Sequence, residues 1–404
     1  MGLLQLLQAD TSIAPELKTP FHGVHRAVFW QRAIQTLVLG YFILGVAGHW
    51  RTKDGFVSLI HFGEIFAPAR LPELHGMPLT TYPGAGYDGQ FYAQLAVSPD
   101  VTNPAVEEAL DNPRYRARRI LLPVVAHGLG AGRPAQIIQI YALLNVAAWF
   151  VFAWWLHRRT APHGLGGTLV WACALLSLGV LDSVQLALTD LPATVLIVGA
   201  VVAIERNHHW VAAVALTTAG LTRETSALAA GLFAPQGWQP SRFSFSRFLA
   251  GALSLLPLAI WLLYLTRTVP TGTYGVQGNF DWPGAAMVRN LWLCVTTIFS
   301  GEPSLRHYFS PLAMIGLGYQ SCHVIRHAWK GGSAWARAAL PFALLFWILG
   351  DSVWGGYWAV ARACLPMSVG FFLLIPHDRN LPWRLMLTAL CLPHAVYRFW
   401  PDFS

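Results

Sequence analysis

The sequence predicts an all-α, polytopic integral membrane protein, and two observations carry that prediction. Of 404 residues, 55% are hydrophobic and only 11% are charged, against roughly a quarter charged in an average soluble domain. Apolar segments of about 20 residues, enough to cross a bilayer as a helix, recur along most of the length. The first span runs from about Val28 to Val46. Others centre near 135–156, 165–181, 190–205, 210–234, 248–268, 308–327, 335–350, 363–376 and 382–397, giving about 10–11 transmembrane helices in a single domain over 1–404. The 210–234 stretch carries Thr222-Arg223-Glu224-Thr225 in its middle, so a broken helix is expected there. No internal repeat and no separate soluble domain is visible.

Between the first two spans, His49 to Arg119 holds no 20-residue apolar window. Residues 49–134 therefore read as a long outer loop containing interfacial helices. Its last part, "RILLPVVAHGLG" at 119–130, is short and carries Pro123, His127 and Gly128. It is expected to lie on, or dip into, the outer leaflet rather than cross.

The net charge of +8 comes without a basic run or RNA-binding signature, which excludes a nucleic-acid binder. In a membrane protein such a balance serves lipid phosphates and topology. Cys173, Cys294, Cys322, Cys364 and Cys391 are scattered, with neither zinc-ligand spacing nor a disulfide framework, and read as core packers. The opening MGLLQLLQAD has too short an apolar region for a signal peptide, and Leu6 argues against myristoylation, so targeting is assigned to the first span.

Basic residues in the short loops set the orientation. His157-Arg158-Arg159, Arg206, Arg242 with Arg247, Arg326 to Arg337 and Arg379 to Arg384 form one consistent inner set, with the N-terminus inside. The 49–134 segment, the Asp182–Asp190 turn, the Thr222–Thr225 break, the 270–307 loop and the Asp351–Arg362 turn then face outward. Nearly every unusual ionisable group falls on that side: Asp88, Arg114, Arg116, Arg118, Arg119, Asp182, Asp190, Arg223, Glu224, Asp351 and Arg362. Ionisable groups at membrane depth are costly, so their convergence is a functional-site hypothesis by default.

Each member also has a plainer explanation. In "GAGYDGQFYAQLAV", Asp88 after a glycine turn is a natural N-cap, and Asp88, Phe91, Tyr92 and Leu95 share one face of the helix that follows. In "NPRYRARRILLP", Arg114 and Arg118 lie one turn apart while Arg116 and Arg119 point together. Guanidinium groups there suit a phosphate, by planar bidentate donation, or snorkel to bulk anionic lipid. Arg223 and Glu224 fit a buried ion pair, with Asp190 as a further partner. Asp190 with Pro192 fits a helix start. Tyr357 and Arg362 add an aromatic and a cation on the outer side.

Tyr87-Asp88-Gly89-Gln90-Phe91-Tyr92, followed by Leu95-Ala96 in the first outer loop, resembles the GT-C superfamily of polytopic membrane glycosyltransferases. It is similar in particular to PIG-V-like mannosyltransferases and to bacterial cell-surface glycopolymer formation proteins. "RRILLP", "LTDLPA" and "LTRETSAL" resemble segments of the bacterial group, so the likeness spans roughly the first 230 residues. The resemblance implies a GT-C-like fold in the bacterial cytoplasmic membrane with an extracytoplasmic active site. It also implies a polyprenyl-phosphate-linked sugar donor, an acceptor belonging to a surface glycan or glycolipid, and inversion at the anomeric carbon.

Such a transfer needs a base for the acceptor hydroxyl and fixed cations for the departing phosphate. Asp88 is the candidate base. Tyr87, Gln90, Tyr92, Arg114, Arg118, Arg119, Arg223, Glu224, Asp190, Tyr357 and Arg362 are the candidate substrate-binding residues. No cofactor is expected, and the lack of an Asp-x-Asp pair near Asp88 argues against a metal. A lipid or lipid-linked-saccharide flippase is the main rival. It would favour internal repeats and midplane charges, whereas the charges here gather at one face. A non-catalytic assembly subunit would keep the fold without needing Asp88.

Overall fold

The computed structural model describes residues 21–235, 244–270 and 278–400. The expectations placed on the opening decapeptide and on Arg242 lie outside the described residues. The chain is nearly all-α, and among the described residues its strands are a two-residue parallel pair, β1 (Phe62–Gly63) and β2 (Thr81–Tyr82). Among the described residues three helical stretches are long and apolar enough to cross a membrane. They are α1 (Phe21–Gly48), counted from Arg26, the 42-residue run Pro134–Leu175 containing α6 (Pro134–Thr160) and α7 (Gly164–Leu175), and α11 (Phe245–Thr268). A fourth arises if α16 (Tyr357–Ala363) and α17 (Leu365–Leu374), bent by 65°, count as one broken span.

The other apolar windows divide more finely than their hydropathy suggests. The 165–181 window splits at Ser177 into α7 and α8 (Leu178–Gln185). A tight turn through Ala187, whose φ is 47°, then leads to α9 (Asp190–Glu205). The 210–234 window breaks, as expected, where α10 (His209–Thr222) gives way at Arg223 to a 3₁₀ helix, Glu224–Phe233. The 382–397 window is two eight-residue helices, α18 (Leu381–Thr388) and α19 (Leu392–Phe399), each opened by a proline in its first turn. The 25-residue α13 (Leu305–Trp329) has the length, but Arg306, His307, His323, Arg326 and His327 lower its hydropathy. Two further helices, α12 (Ala285–Ser300) and α14 (Ala334–Ile348), are apolar but only 16 and 15 residues long.

Residues 49–134 contain short helices and no span long enough to cross a membrane. They fold around a second hydrophobic core, which they share with Ile137, Ile138, Tyr141 and Ala142 of α6, the Leu186–Leu188 turn, and Leu265 and Val269 at the end of α11. At its centre is α2 (Gly89–Val97), every residue of which is buried. Backbone partners satisfy both glutamines of α2. Gln94 accepts from Leu71 N at 3.0 Å and donates to Ala109 O at 3.0 Å, and Gln90 accepts from Gly63 N at 3.0 Å. A buried amide with its bonds made costs little, whereas one left unpaired costs about 1–3 kcal/mol. Two short helices, α3 (Pro104–Ala109) and α4 (Pro113–Arg116), follow. Next, α5 (Leu121–Leu129) packs one side on α2 and leaves Val124, Val125 and Leu129 exposed. Its nine residues span only about 14 Å, short of a hydrocarbon core about 30 Å thick.

Gly89 fixes where α2 starts. A Cβ there would press into the carbonyl oxygen of Leu186 in the α8–α9 turn, and that backbone is locked because Tyr141 donates to Ala187 O at 2.8 Å. Gly89→Ala is therefore expected to cost about 1–3 kcal/mol, as overpacking against an unyielding wall does. A thermal melt equal to wild type would show that the α8–α9 turn gives way.

Candidate functional site

Backbone geometry delivers Asp88 to a cavity. The preceding turn uses Gly86 at φ 66°, backed so closely against Gly63 and the His61 carbonyl that no side chain fits. Tyr87 N donates to His61 O at 3.0 Å, and the Gln90 amide donates to Ala85 O at 2.7 Å. Asp88 then occupies the cap position of α2 with helical dihedrals, but its side chain makes no capping hydrogen bond. The carboxylate turns instead to Arg116 at 3.0 Å and keeps about a third of its surface (34%) open.

Arg116 stands where it does because Asn112 caps α4, accepting from Tyr115 N at 3.1 Å, with Pro113 in the first turn. The chain then tightens into a 3₁₀ turn, Ala117–Arg119. Arg116 grips Asp111 with two hydrogen bonds, at 2.7 and 2.6 Å, besides pairing with Asp88. Arg119 grips Glu224 in the same way, at 2.8 and 3.1 Å, and donates to the hydroxyls of Tyr92 and Tyr115. Arg118 lies against the Tyr115 ring at 5.4 Å and has no carboxylate partner among the described residues. Arg114 turns away and donates to Val269 O at 2.7 Å, so it does not reach the cavity. Its place as a phosphate candidate passes to Arg116.

A second tier lies beneath. Asp190, 2% exposed, takes Arg223 at 2.5 Å and Arg362 at 3.6 Å. Arg362 in turn donates to the Tyr87 hydroxyl at 2.5 Å and stacks on that ring. The break after α10 that sets Arg223 and Glu224 is thus held by ion pairs from two directions. These residues surround a cavity of about 730 Å³. Asp88, Tyr87, Arg118, Arg119, Arg223, Glu224 and Arg362, drawn from windows 87–88, 118–119, 223–224 and 362, all line it. Its five guanidinium groups (Arg116, Arg118, Arg119, Arg223, Arg362) meet four carboxylates (Asp88, Asp111, Asp190, Glu224), and the uncommitted one is Arg118.

Other candidates land elsewhere. Gln90 is fully buried and braces the glycine turn, and Tyr92 is fully buried off the cavity lining, its hydroxyl and ring both against Arg119. Tyr357 is buried off the cavity, its hydroxyl against His394 Nδ1. Asp182 pairs with Arg398 at 3.7 Å, and Asp351 with Arg289 at 2.7 Å on the surface. Asp111, Tyr115, Asn279 and Phe280 line the cavity without having been singled out. Asp111 was legible as the acid beside the "NPRYR" cap. Asn279 and Phe280, about 160 residues further on, carry no local signal. Among the described residues no group of three or more His, Cys, Asp or Glu is arranged to hold a metal ion.

Burial would raise the Asp88 pKa, but the adjoining Arg116 guanidinium, helped by Arg362 and Arg119, overrides it and holds the carboxyl down at about 2. The ionic form is therefore favoured by folding, because the unfolded chain takes up a proton more readily. The stability difference between wild type and Asp88→Asn should be constant above the ordinary value of 3.8 and shrink as pH falls from there to about 2. Denaturation at stepped pH measures it, and a difference that grew on acidification would contradict the pairing.

Fold and site together define a helix-rich protein with helices able to cross a membrane and a half-open cavity where arginines outnumber carboxylates. No protein-family model, no curated protein and no solved structure matches the chain.

Proposed function

We propose that this chain is a membrane-embedded GT-C-type glycosyltransferase. In this reading it moves a sugar from a polyprenyl-phosphate donor to an acceptor hydroxyl on the extracytoplasmic face of the bacterial cytoplasmic membrane, in surface glycan or glycolipid synthesis. The observation that carries the reading is the Asp88 carboxylate: it stands at a helix start without capping it and opens onto a cavity that also presents the uncommitted Arg118. A carboxylate beside a cationic wall is what displacement of a sugar from a phosphate requires.

The acceptor oxygen attacks the anomeric carbon as the bond from that carbon to the phosphate oxygen breaks. The acceptor proton passes to Asp88, and polyprenyl phosphate leaves against Arg118 and Arg116. One displacement inverts the anomeric centre. Ion pairing makes Asp88 a weak base in the free protein. A donor phosphate drawing on Arg116 would loosen that grip and raise its basicity when substrate is bound.

The test is turnover by the full chain in lipid nanodiscs, with polyprenyl-phosphate monosaccharides as donors and release of polyprenyl phosphate as the readout. Inverted product is expected. Movement of intact donor across sealed vesicles without bond cleavage would replace this reading with a transporter.

A further inference from the structure

Part of the cavity lining is uncharged and includes a bare aromatic ring. Residues 278–284 run beside 347–352, with an antiparallel bridge between Phe280 and Leu349. Gly350 N donates to Asn279 O at 2.7 Å, Asp281 N to Ile348 O at 2.9 Å, Ser352 N to Gly278 O at 3.1 Å and Gly284 N to Trp347 O at 2.6 Å. Gly350 is required for this approach, since a Cβ would strike the Gly278 carbonyl. Arg289 ties the two segments from outside by holding both Asp281 and Asp351.

This fastening carries Asn279 and Phe280 onto the cavity lining. Phe280 is 66% exposed, so its ring is open to a ligand in the cavity that it lines. Neither its ring nor the Asn279 amide has a partner among the described residues. Nearby, Leu345, Leu349 and Val353 complete an apolar surface.

Asn279, Phe280, Leu345, Leu349 and Val353 offer a phosphate no cation. A sugar ring suits them: its C–H face packs flat on an aromatic ring, and its hydroxyls match an amide that both donates and accepts. We infer that Asn279 and Phe280 form a carbohydrate-recognition wall, Phe280 as the stacking platform and Asn279 as the hydroxyl-reading group. The inference rests on the proposed function and deepens it by naming a specificity element. The ring is that of the transferred sugar or that of the acceptor, and kinetics separate the two.

The experiment uses the full chain in nanodiscs with methyl glycosides of several hexoses as probes, read by saturation-transfer NMR. Phe280→Ala should weaken binding of the best glycoside by roughly tenfold or more, Phe280→Trp should restore it, and Asn279→Ala should blunt discrimination between epimers. In turnover, a raised KM for donor alone assigns the transferred sugar, and a raised KM for acceptor alone assigns the acceptor ring. Glycoside binding unchanged in Phe280→Ala, or a loss confined to sugar-free polyprenyl phosphate, overturns the inference. Phe280-dependent glycoside binding by a wild-type protein that transfers nothing would sink the glycosyltransferase reading and leave this wall standing.

Discussion

Asp88→Asn is expected to leave the protein folded while cutting sugar transfer by about 10²- to 10⁴-fold, the range general-base assistance commands. The fold should survive for three reasons. Asn caps a helix nearly as well as Asp, and here even that allowance is unneeded, because the Asp88 side chain makes no capping bond. Gly89 against the Leu186 carbonyl and Tyr87 N on His61 O place this backbone without help from the carboxylate. Arg116 loses one partner but keeps its two bonds to Asp111. An amide accepts no proton, so the base function goes entirely. Product release from donor and acceptor measures the loss, and a thermal melt guards against misfolding. Transfer within a fewfold of wild type would reduce Asp88 to a structural partner of Arg116.

Much of this site was legible before the fold. The glycine turn into Tyr87-Asp88-Gly89, the polar break at Arg223-Glu224 and the acid before Pro192 each interrupt an apolar pattern. Sorting the short loops by basic residues gathered them on one side, and the structure places Asp88, Arg118, Arg119, Arg223, Glu224 and Arg362 around one cavity. Pairing within that set was not legible. It depends on the switch from α to 3₁₀ winding at Ala117, which aims Arg119 at Glu224, and on Arg114 finding the Val269 carbonyl 155 residues away. Burial of α2 on all sides was not legible either, because it depends on the Gln90 and Gln94 amides being taken up by backbone groups of other segments. Span counting anticipated the turn between Asp182 and Asp190 but not the break at Ser177, where extended backbone rather than hydropathy separates α7 from α8.

Those pairings make the neighbouring arginines separable. Arg118→Gln removes a guanidinium with no carboxylate partner among the described residues, so stability should change little. Loss of a charge-assisted bond to phosphate, worth about 1.5–3 kcal/mol, should weaken donor binding by roughly ten- to hundredfold. Arg119→Gln is the opposite case. Arg119 is 5% exposed, and its removal strands Glu224 in the cavity wall, at the cost of about 3–5 kcal/mol typical of breaking a buried pair. Much of that cost comes from the uncompensated carboxylate, so Arg119→Gln combined with Glu224→Gln should recover part of the stability. Changing Arg118 and Arg119 together would therefore confound binding with folding, and only the single variants can be interpreted. Titration of a polyprenyl-phosphate sugar, with a melt for each variant, measures both axes. If Arg118→Gln bound donor as wild type does, Arg118 would be a headgroup contact, and the donor phosphate would have to sit on cations already shared with carboxylates.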